Sequence, residues 1–185
     1  MARFMGWMAG RKLFSDALLL QLYPPFLWMR IKVLELDPRW QRVRIRLPLN
    51  AVSRNPGGIM FGGFQAALAD PIAALACARR FPGYSVWTRA INIDFERAGH
   101  THLELRFEFP ESLDTRIREQ LAAEGRATPT FEYGFHLADG TRCTVIRNTV
   151  AIRPRGYRLS QAGQSPARPP GATEALKPPS GTEAS

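Results

Sequence analysis

One carboxylate stands apart in this sequence because everything around it is uncharged. Between Arg54 and Arg79 the only charged side chain is that of Asp70. An ionised carboxylate within an apolar element is destabilising unless solvent or a partner compensates its charge. Carboxylates kept in such surroundings often serve as general bases or nucleophiles, because the surroundings tune their reactivity. Asp70 is therefore the first candidate for a catalytic group.

The residue that follows, Pro71, leaves two local structures open. In one, Asp70 is the N-cap of a short helix that has Pro71 in its first turn. In the other, Pro71 lies inside a longer helix, removes one backbone hydrogen bond and bends the helix at Asp70. The longer helix keeps Phe64, Leu68 and Ile72 at helical spacing on one apolar face.

Two adjacent glycines, Gly62 and Gly63, fall in the first turn of that longer helix. Free N–H groups and the helix dipole at this end can hold an oxyanion, although tight packing alone would also explain a glycine pair. Gly62 and Asp70 are eight residues apart, which is about 12 Å along a helix. A base and an oxyanion donor must both come within ~3 Å of one carbonyl group. One chain cannot bring them together, so catalysis by these groups requires a symmetric oligomer.

The surrounding sequence predicts the elements that hold these residues. The segment 61–80 is apolar on all sides and carries seven alanines, which predicts one long buried helix. Alternating residues predict six strands with links short enough for antiparallel pairing. Together they predict an α+β hotdog fold, an antiparallel sheet wrapped around a long central helix. The predicted strands are 28–36, 41–47, 86–95, 102–109, 130–137 and 141–152, and two shorter helices are predicted at 15–22 and 114–124.

The run from Asn55 to Asp70, NPGGIMFGGFQAALAD, resembles a motif of the hotdog acyl-CoA thioesterases of the phenylacetyl-CoA thioesterase group. That motif has His-Gly-Gly six positions after the Asn and an acidic residue nine positions after the His, and this sequence keeps both spacings. The resemblance continues to Thr88 and the strand 92–95, and it covers most of residues 23–153. The sequence is most similar to an uncharacterised bacterial branch in which the histidine is missing.

The resemblance implies a thioesterase that hydrolyses acyl-CoA or acyl-carrier thioesters as a homodimer or homotetramer, with no cofactor and no metal. Asp70 would be the nucleophile or the general base. The Gly62 N–H of the partner subunit would stabilise the oxyanion. Asn55 would position the carbonyl group, and Thr88 would hold the hydrolytic water.

The substrate-binding residues implied by the same resemblance are Phe61, Gly63 and Phe64 at the start of the helix, and Arg89 beside the threonine. Phe61 stands where the family has histidine, and a phenyl ring offers neither a proton nor a hydrogen bond. This departure supports an alternative function, a non-catalytic hotdog module that binds acyl-CoA or another lipidic ligand.

A net charge of +9 raises the question of an anionic partner. The strand 42–46 alternates arginines on one face, which fits either a solvated outer face or docking of coenzyme A phosphates or an acidic carrier protein. Arg79, Arg80 and Arg89 could serve the same end. Nucleic acid is disfavoured as a partner, because stacking aromatic residues are not interleaved with these arginines.

The remaining patterns predict a hotdog domain over residues 12–155 and a disordered basic tail, rich in Pro, Ser and Ala, over 156–185. The uncharged stretch 17–29 has 13 residues and two prolines. A membrane-spanning helix needs about 20 apolar residues, so no span is predicted. Charged residues also interrupt the first apolar run, which argues against a secretory signal. Two cysteines give neither a disulfide framework nor a zinc spacing, so a cytoplasmic location is expected.

Overall fold

The computed structural model describes residues 15–157 as four helices and one six-stranded antiparallel sheet. In chain order the elements are α1 (Asp16–Leu22), α2 (Pro24–Met29), β1 (Lys32–Leu36), β2 (Arg42–Leu47), α3 (Gly62–Arg80), β3 (Tyr84–Phe95), β4 (Leu103–Glu108), α4 (Glu111–Glu124), β5 (Thr130–His136) and β6 (Arg142–Pro154). The strands follow the order β1-β2-β4-β5-β6-β3 across the sheet. The α+β class and the long helix against an antiparallel sheet are therefore as predicted.

Both predicted domain limits fall at the margins of this range. Residue 12, the predicted start of the domain, lies outside the described residues, and so does the predicted tail from residue 158 onward.

The long helix α3 decides between the two local structures that the sequence left open at Pro71. It runs without a break through Pro71, and Phe61 is its N-cap residue. Asp70 is therefore an interior helical residue and not an N-cap. The helix packs on β3 and β6, and every residue from Ile72 to Cys77 is buried.

The prediction that α3 is buried on all sides is wrong for its first half. Gly63 and Ala67 are exposed, and Asp70 is only half-buried. The reason is the position of the helix, which contacts strands at one edge of the sheet. The first two turns therefore have one side that no strand of the described chain covers.

The predicted strand 28–36 is also partly wrong. The helix α2 occupies its first residues, and β1 begins only at Lys32. Pro24 and Pro25 lie at the start of α2, where a missing N–H costs nothing because those groups lack helical partners anyway. Arg30 ends the helix in the left-handed conformation, with φ 55°.

The other predicted elements are found within a few residues of their expected limits. The Ser15 side chain caps α1 by accepting a hydrogen bond from the Leu18 N–H at 3.3 Å. Gly125 closes α4 in the left-handed conformation, with φ 67°. The hairpin between β5 and β6 turns at Gly140, whose φ of 88° suits glycine.

The strand β3 forms one edge of the sheet, because β6 is its only neighbour in the strand order. Most of its residues from Arg89 onward are exposed, and Phe95 keeps 55% of its surface in solvent. The register with β6 shifts between Thr88 and Ala90, so Arg89 is the extra residue of a β-bulge.

The alternating arginines of β2 lie on the exposed face of the sheet among carboxylates. Arg42 Nε is 3.0 Å from Glu35, and Arg44 Nε is 2.7 Å from Glu104. Arg106 Nε binds the same Glu104 oxygen at 2.8 Å. Arg42 and Arg44 thus belong to a solvated, internally paired outer face, whereas Arg46 is half-buried and its Nε has no hydrogen-bond partner among the described residues.

The hydrogen bond from Arg44 is the main cause that lowers the pKa of Glu104, to about 2. Arg106 lowers it as well, while partial burial opposes both.

Replacing this carboxylate tests the pairing. Because the folded-state pKa of Glu104 lies below its ordinary value of 4.5, the stabilisation is present above that pH and is lost as the pH falls toward 2. We expect Glu104→Gln to lower the free energy of unfolding by roughly 1 kcal/mol at pH 7. Urea unfolding at several pH values measures this effect, which should vanish near pH 2. Glu108→Gln, on the same strand, is the matched control. Equal losses in both variants would contradict the assignment.

Candidate active site

Asp70 lies in the middle of α3, one residue before the interior proline. Its backbone carbonyl accepts two hydrogen bonds from side chains of the sheet. Thr88 Oγ1 donates at 2.8 Å, and Asn148 Nδ2 donates at 2.9 Å. The helix segment that carries the carboxylate is therefore attached to both β3 and β6.

A second buried contact holds the preceding residue. The Tyr133 hydroxyl on β5 donates to the Ala69 carbonyl at 2.7 Å and accepts a hydrogen bond from Asn148 Nδ2 at 3.0 Å. We call Thr88, Tyr133 and Asn148 the carbonyl clamp. Since Pro71 has no N–H and its ring crowds the preceding turn, these donors anchor the helix beside its irregular position.

The negative charge of the Asp70 carboxylate acts on one member of the carbonyl clamp, Tyr133. Burial raises the pKa of the Tyr133 phenol, and the negative charge of Asp70 raises it further, against the hydrogen bond from Asn148. Within residues 15–157, no side chain pairs with or donates a hydrogen bond to the carboxylate of Asp70. It is half-buried and open to a substrate or to water.

Two members of the carbonyl clamp were not found by sequence reasoning. Asn148 is fully buried, at a position of β6 where the inward-facing neighbours Ile146 and Val150 are apolar. A polar residue in that alternation was the available signal, because a buried amide needs hydrogen-bond partners. Tyr133 carried no comparable signal, since a tyrosine in a strand is ordinary.

The glycine pair lies in the first turn of α3, as predicted. Phe61 at the N-cap supplies no side-chain acceptor, and the first N–H groups of a helix have no partner within it. The space is tight, because a Cβ at Gly62 would lie 2.9 Å from Cζ of Phe95, and one at Gly63 would overlap the ring of Phe61. Phe61 and Phe64 meet edge to face, with ring centroids 5.8 Å apart.

Asn55 lies in the loop before the helix and closes that loop on itself. Its Oδ1 accepts a hydrogen bond from the Ile59 N–H at 3.2 Å, and its own N–H donates to the Ile59 carbonyl at 2.8 Å. No hydrogen bond in the described part of the chain joins Asn55 to Gly62 or to Asp70.

The predicted site residues therefore form two groups. One group, at the start of α3, contains Phe61, Gly62, Gly63 and Phe64, with Asn55 in the loop before it. The other contains Asp70 and Thr88, with Arg89 next along β3. The groups are separated by about 12 Å along one continuous helix, so a single chain does not bring Gly62 to Asp70.

The other reactive side chains are not arranged for chemistry. Cys77 and Cys143 are both buried free thiols, and burial raises the pKa of each. Among residues 15–157, no three side chains of His, Cys, Asp or Glu lie close enough to share a metal ion. None of the helices in that range combines the length and apolar character needed to cross a membrane.

Comparison with protein families identifies the family to which the chain belongs. Residues 10–152 match the model of the family described as Domain of unknown function (DUF4442), and the chain belongs to this family. No curated protein matches the sequence.

Several solved structures share the fold. A Pseudomonas aeruginosa protein of unknown function, described as a probable thioesterase, is 15% identical with a TM-score of 0.66, over 75% of this chain and 93% of its own. A Haemophilus influenzae thioesterase is 17% identical with a TM-score of 0.59, over 80% and 97%. A Chlorobaculum tepidum protein of unknown function is 11% identical with a TM-score of 0.62, over 83% and 93%. These similarities confirm the predicted hotdog fold.

The carbonyl clamp gives a stability prediction. Asn148→Ala removes the donor to the Asp70 carbonyl and to Tyr133, and we expect it to lower the free energy of unfolding by about 1–3 kcal/mol. Denaturant unfolding measures the change. Asn92→Ala, at an exposed position of β3, is the matched control and should stay within about 0.5 kcal/mol of wild type. If both variants unfold like the wild type, the clamp does not stabilise the helix.

Proposed function

We propose that this protein is a thioesterase that hydrolyses acyl-CoA or acyl-carrier thioesters with Asp70 as its reacting carboxylate. The observation that carries the proposal is the unpaired, half-buried carboxylate of Asp70 on a helix segment fixed by the carbonyl clamp. Further support comes from the likeness of the fold to proteins described as thioesterases and from the spacing of Asn55, Gly62 and Asp70.

The chemistry needs one base and one oxyanion donor. With Asp70 as base, the carboxylate takes a proton from a water molecule, and the resulting hydroxide attacks the thioester carbonyl carbon. The C–S bond of the tetrahedral intermediate then breaks, the thiolate leaves and is protonated, and the acid is released. Direct attack by the carboxylate is the alternative first step, and water then hydrolyses the acyl-enzyme anhydride.

Thr88 is suited to holding the water. Its hydroxyl proton is committed to the Asp70 carbonyl, so its oxygen is left to accept a hydrogen bond from a water molecule beside the carboxylate. Asn55 of the partner subunit would orient the substrate carbonyl from the loop before α3, since Asn55 lies with Gly62 and not with Asp70. Phe61, Gly63 and Phe64 supply an apolar surface for the acyl group.

The oxyanion donor comes from a second copy of the chain. The N–H of Gly62 in the first turn of α3 is the candidate donor, and one such donor contributes about 3 to 4 kcal/mol to transition-state stabilisation. Because Gly62 and Asp70 of one chain are too far apart, Gly62 of the partner subunit would face Asp70.

The free edge of β3 is the surface on which we expect the second copy to pair. An exposed strand edge presents unpaired backbone groups, and the exposed ring of Phe95 lies against Gly62 at the same end of the molecule. Pairing two such edges gives a symmetric dimer, and two dimers give the tetramer that the resemblance also allows.

One observation favours a second candidate function. Phe61 is half-exposed at the position where the motif has a histidine, and its ring cannot polarise a carbonyl group. A non-catalytic module that binds acyl-CoA or another lipidic ligand at the same surface would need no such group.

Substitution of the carboxylate separates the two functions. We expect wild type to release thiol from some member of a panel of short, long and aryl acyl-CoA thioesters. Asp70→Asn should lower kcat by at least about a hundredfold, because it removes the base or nucleophile, and should leave the rise in Tm with substrate intact. Asp139→Asn, in the exposed turn between β5 and β6, is the matched control and should retain its rate. Wild type that binds the esters without releasing thiol would favour the non-catalytic module.

Subunit complementation tests the shared site. Gly62→Pro deletes the proposed N–H donor at the first helical position, where the backbone suits a proline. Its ring must displace the exposed ring of Phe95, because a Cβ at Gly62 would lie 2.9 Å from Cζ of Phe95. Gly62→Ala, which adds the same Cβ and keeps the N–H, is therefore the matched control and should stay active. We expect Asp70→Asn and Gly62→Pro to be inactive alone, and their mixture to regain roughly a quarter of the wild-type rate, since each mixed dimer has one intact site.

Subunit exchange in that mixture is verified by native mass spectrometry. Exchange without any recovery of activity would contradict a site built from two subunits.

A further inference from the structure

The short helix α2 carries apolar side chains on two opposite sides. Phe26 and Met29, three residues apart, face the core and are buried. Leu27 and Trp28 lie between them in sequence and face solvent instead, with 55% and 73% of their surfaces exposed. The solvent side of a surface helix is normally polar. The outer side of α2 is thus an apolar surface that the described chain leaves largely uncovered.

This apolar surface extends onto the loop that follows β2. Val52 of that loop keeps 48% of its surface exposed, and it lines a groove of about 280 Å³ together with Leu27, Trp28 and Arg30. We call these four residues the α2 patch. A tryptophan combines a large apolar body with one N–H donor, which suits a boundary between an apolar phase and water.

The cations in and beside the α2 patch have no ion-pair partners in the described chain. Arg30 belongs to the patch, while Lys32 and Arg54 each lie two residues from one of its members. All three are exposed, and no carboxylate of the described residues pairs with any of them. The ranges 17–34 and 38–69 contain neither Asp nor Glu. The apolar patch is therefore accompanied by positive charge that is available to an anionic partner.

The sequence that precedes α1 has the same chemical character. Residues 1–14, MARFMGWMAGRKLF, hold three cationic residues and no carboxylate, together with several large apolar residues. They join the domain through α1, which packs against α2 and is only about 10 Å long. A basic and apolar segment is therefore tethered within reach of the α2 patch.

We propose that the α2 patch docks this protein on the surface of an anionic lipid bilayer. Leu27 and Trp28 enter the boundary between headgroups and acyl chains, and Arg30 binds lipid phosphate groups at the rim. Apolar burial and the attraction of lysine and arginine to anionic lipids both contribute to such peripheral binding. The six residues of α2 can only lie at the surface, because a spanning helix needs about 20. This docking does not depend on Asp70 or on hydrolysis.

A second copy of the chain fits the α2 patch less well than a bilayer does. A symmetric contact places the same patch of both copies face to face, so Arg30 would meet Arg30. A stable protein interface also takes about 20–30 residues from each partner, whereas this patch has four. The β3 edge lies at the opposite side of the sheet from β1, which closely follows α2. Dimerisation along β3 and docking through the α2 patch therefore use different surfaces.

Co-sedimentation of the full chain with lipid vesicles tests the docking. We expect wild type to bind vesicles of phosphatidylcholine and phosphatidylglycerol in equal parts at least about tenfold more tightly than vesicles of phosphatidylcholine alone. Trp28→Gln should weaken binding to the anionic vesicles about tenfold, because it removes the largest apolar side chain of the patch. Arg30→Gln should weaken that binding about fivefold and reduce its dependence on salt.

The matched control variants lie near β6 and β3, at the other edge of the sheet. Tyr157→Gln replaces an exposed aromatic residue and Arg126→Gln an exposed arginine, and both should bind like wild type. Circular dichroism verifies the fold of each variant. A second measurement covers the case in which Trp28→Gln misfolds. Lipids brominated in their acyl chains should quench the tryptophan fluorescence of wild type more strongly than that of Trp28→Phe.

Two results would overturn the docking. One is failure of wild type to bind anionic vesicles. The other is Trp28→Gln that binds as tightly as wild type, which would assign the binding to residues outside the patch, such as 1–14. Loss of self-association in Trp28→Gln on size-exclusion chromatography, when wild type binds no vesicles, would assign the patch to a second copy.

Discussion

The hydrogen bonds to the carbonyls of Ala69 and Asp70 are the constraint on which the rest of the molecule depends. They join α3 to three strands at the point where Pro71 interrupts its regular bonding. An unpaired polar group in this core would be costly, so strands and helix must keep one relative position. The same bonds fix the backbone of the only charged residue in the middle of the helix, and leave its carboxylate free.

The charges of the chain are divided between two kinds of surface. On the outer face, arginines and carboxylates neutralise one another, as Glu104 does between Arg44 and Arg106. Around the cavity lined by Arg89, Arg126, Arg153 and Glu124, positive charge outnumbers negative, and the Arg89 guanidinium has no partner in the described chain. A net charge therefore says little about partners until the internal pairs have been removed from it.

The spacing of apolar residues along the chain and the positions of turn-forming residues were enough to predict most of the strands, the long helix and the hotdog fold. They were wrong at one place and left another open, in each case because two structures satisfied the same local rules. Prolines at 24 and 25 suited a helix start as well as a break, and the Asp70-Pro71 pair suited a cap as well as a bend. The isolated charge of Asp70 and the glycine pair at the helix start made these groups candidates, and the family resemblance added Asn55. Tyr133 and Asn148 were missed because they are distant in sequence, and only the folded sheet brings them to the helix.

The bulge at Arg89 has a consequence for the way this protein associates. A long, flat strand edge recruits further strands without limit, which is how fibrils grow. The extra residue interrupts the ladder of β3 near its middle and increases the local twist. The edge is thereby poorly suited to open-ended stacking, so the bulge that disturbs the ladder of β3 also limits how many strands could add to it.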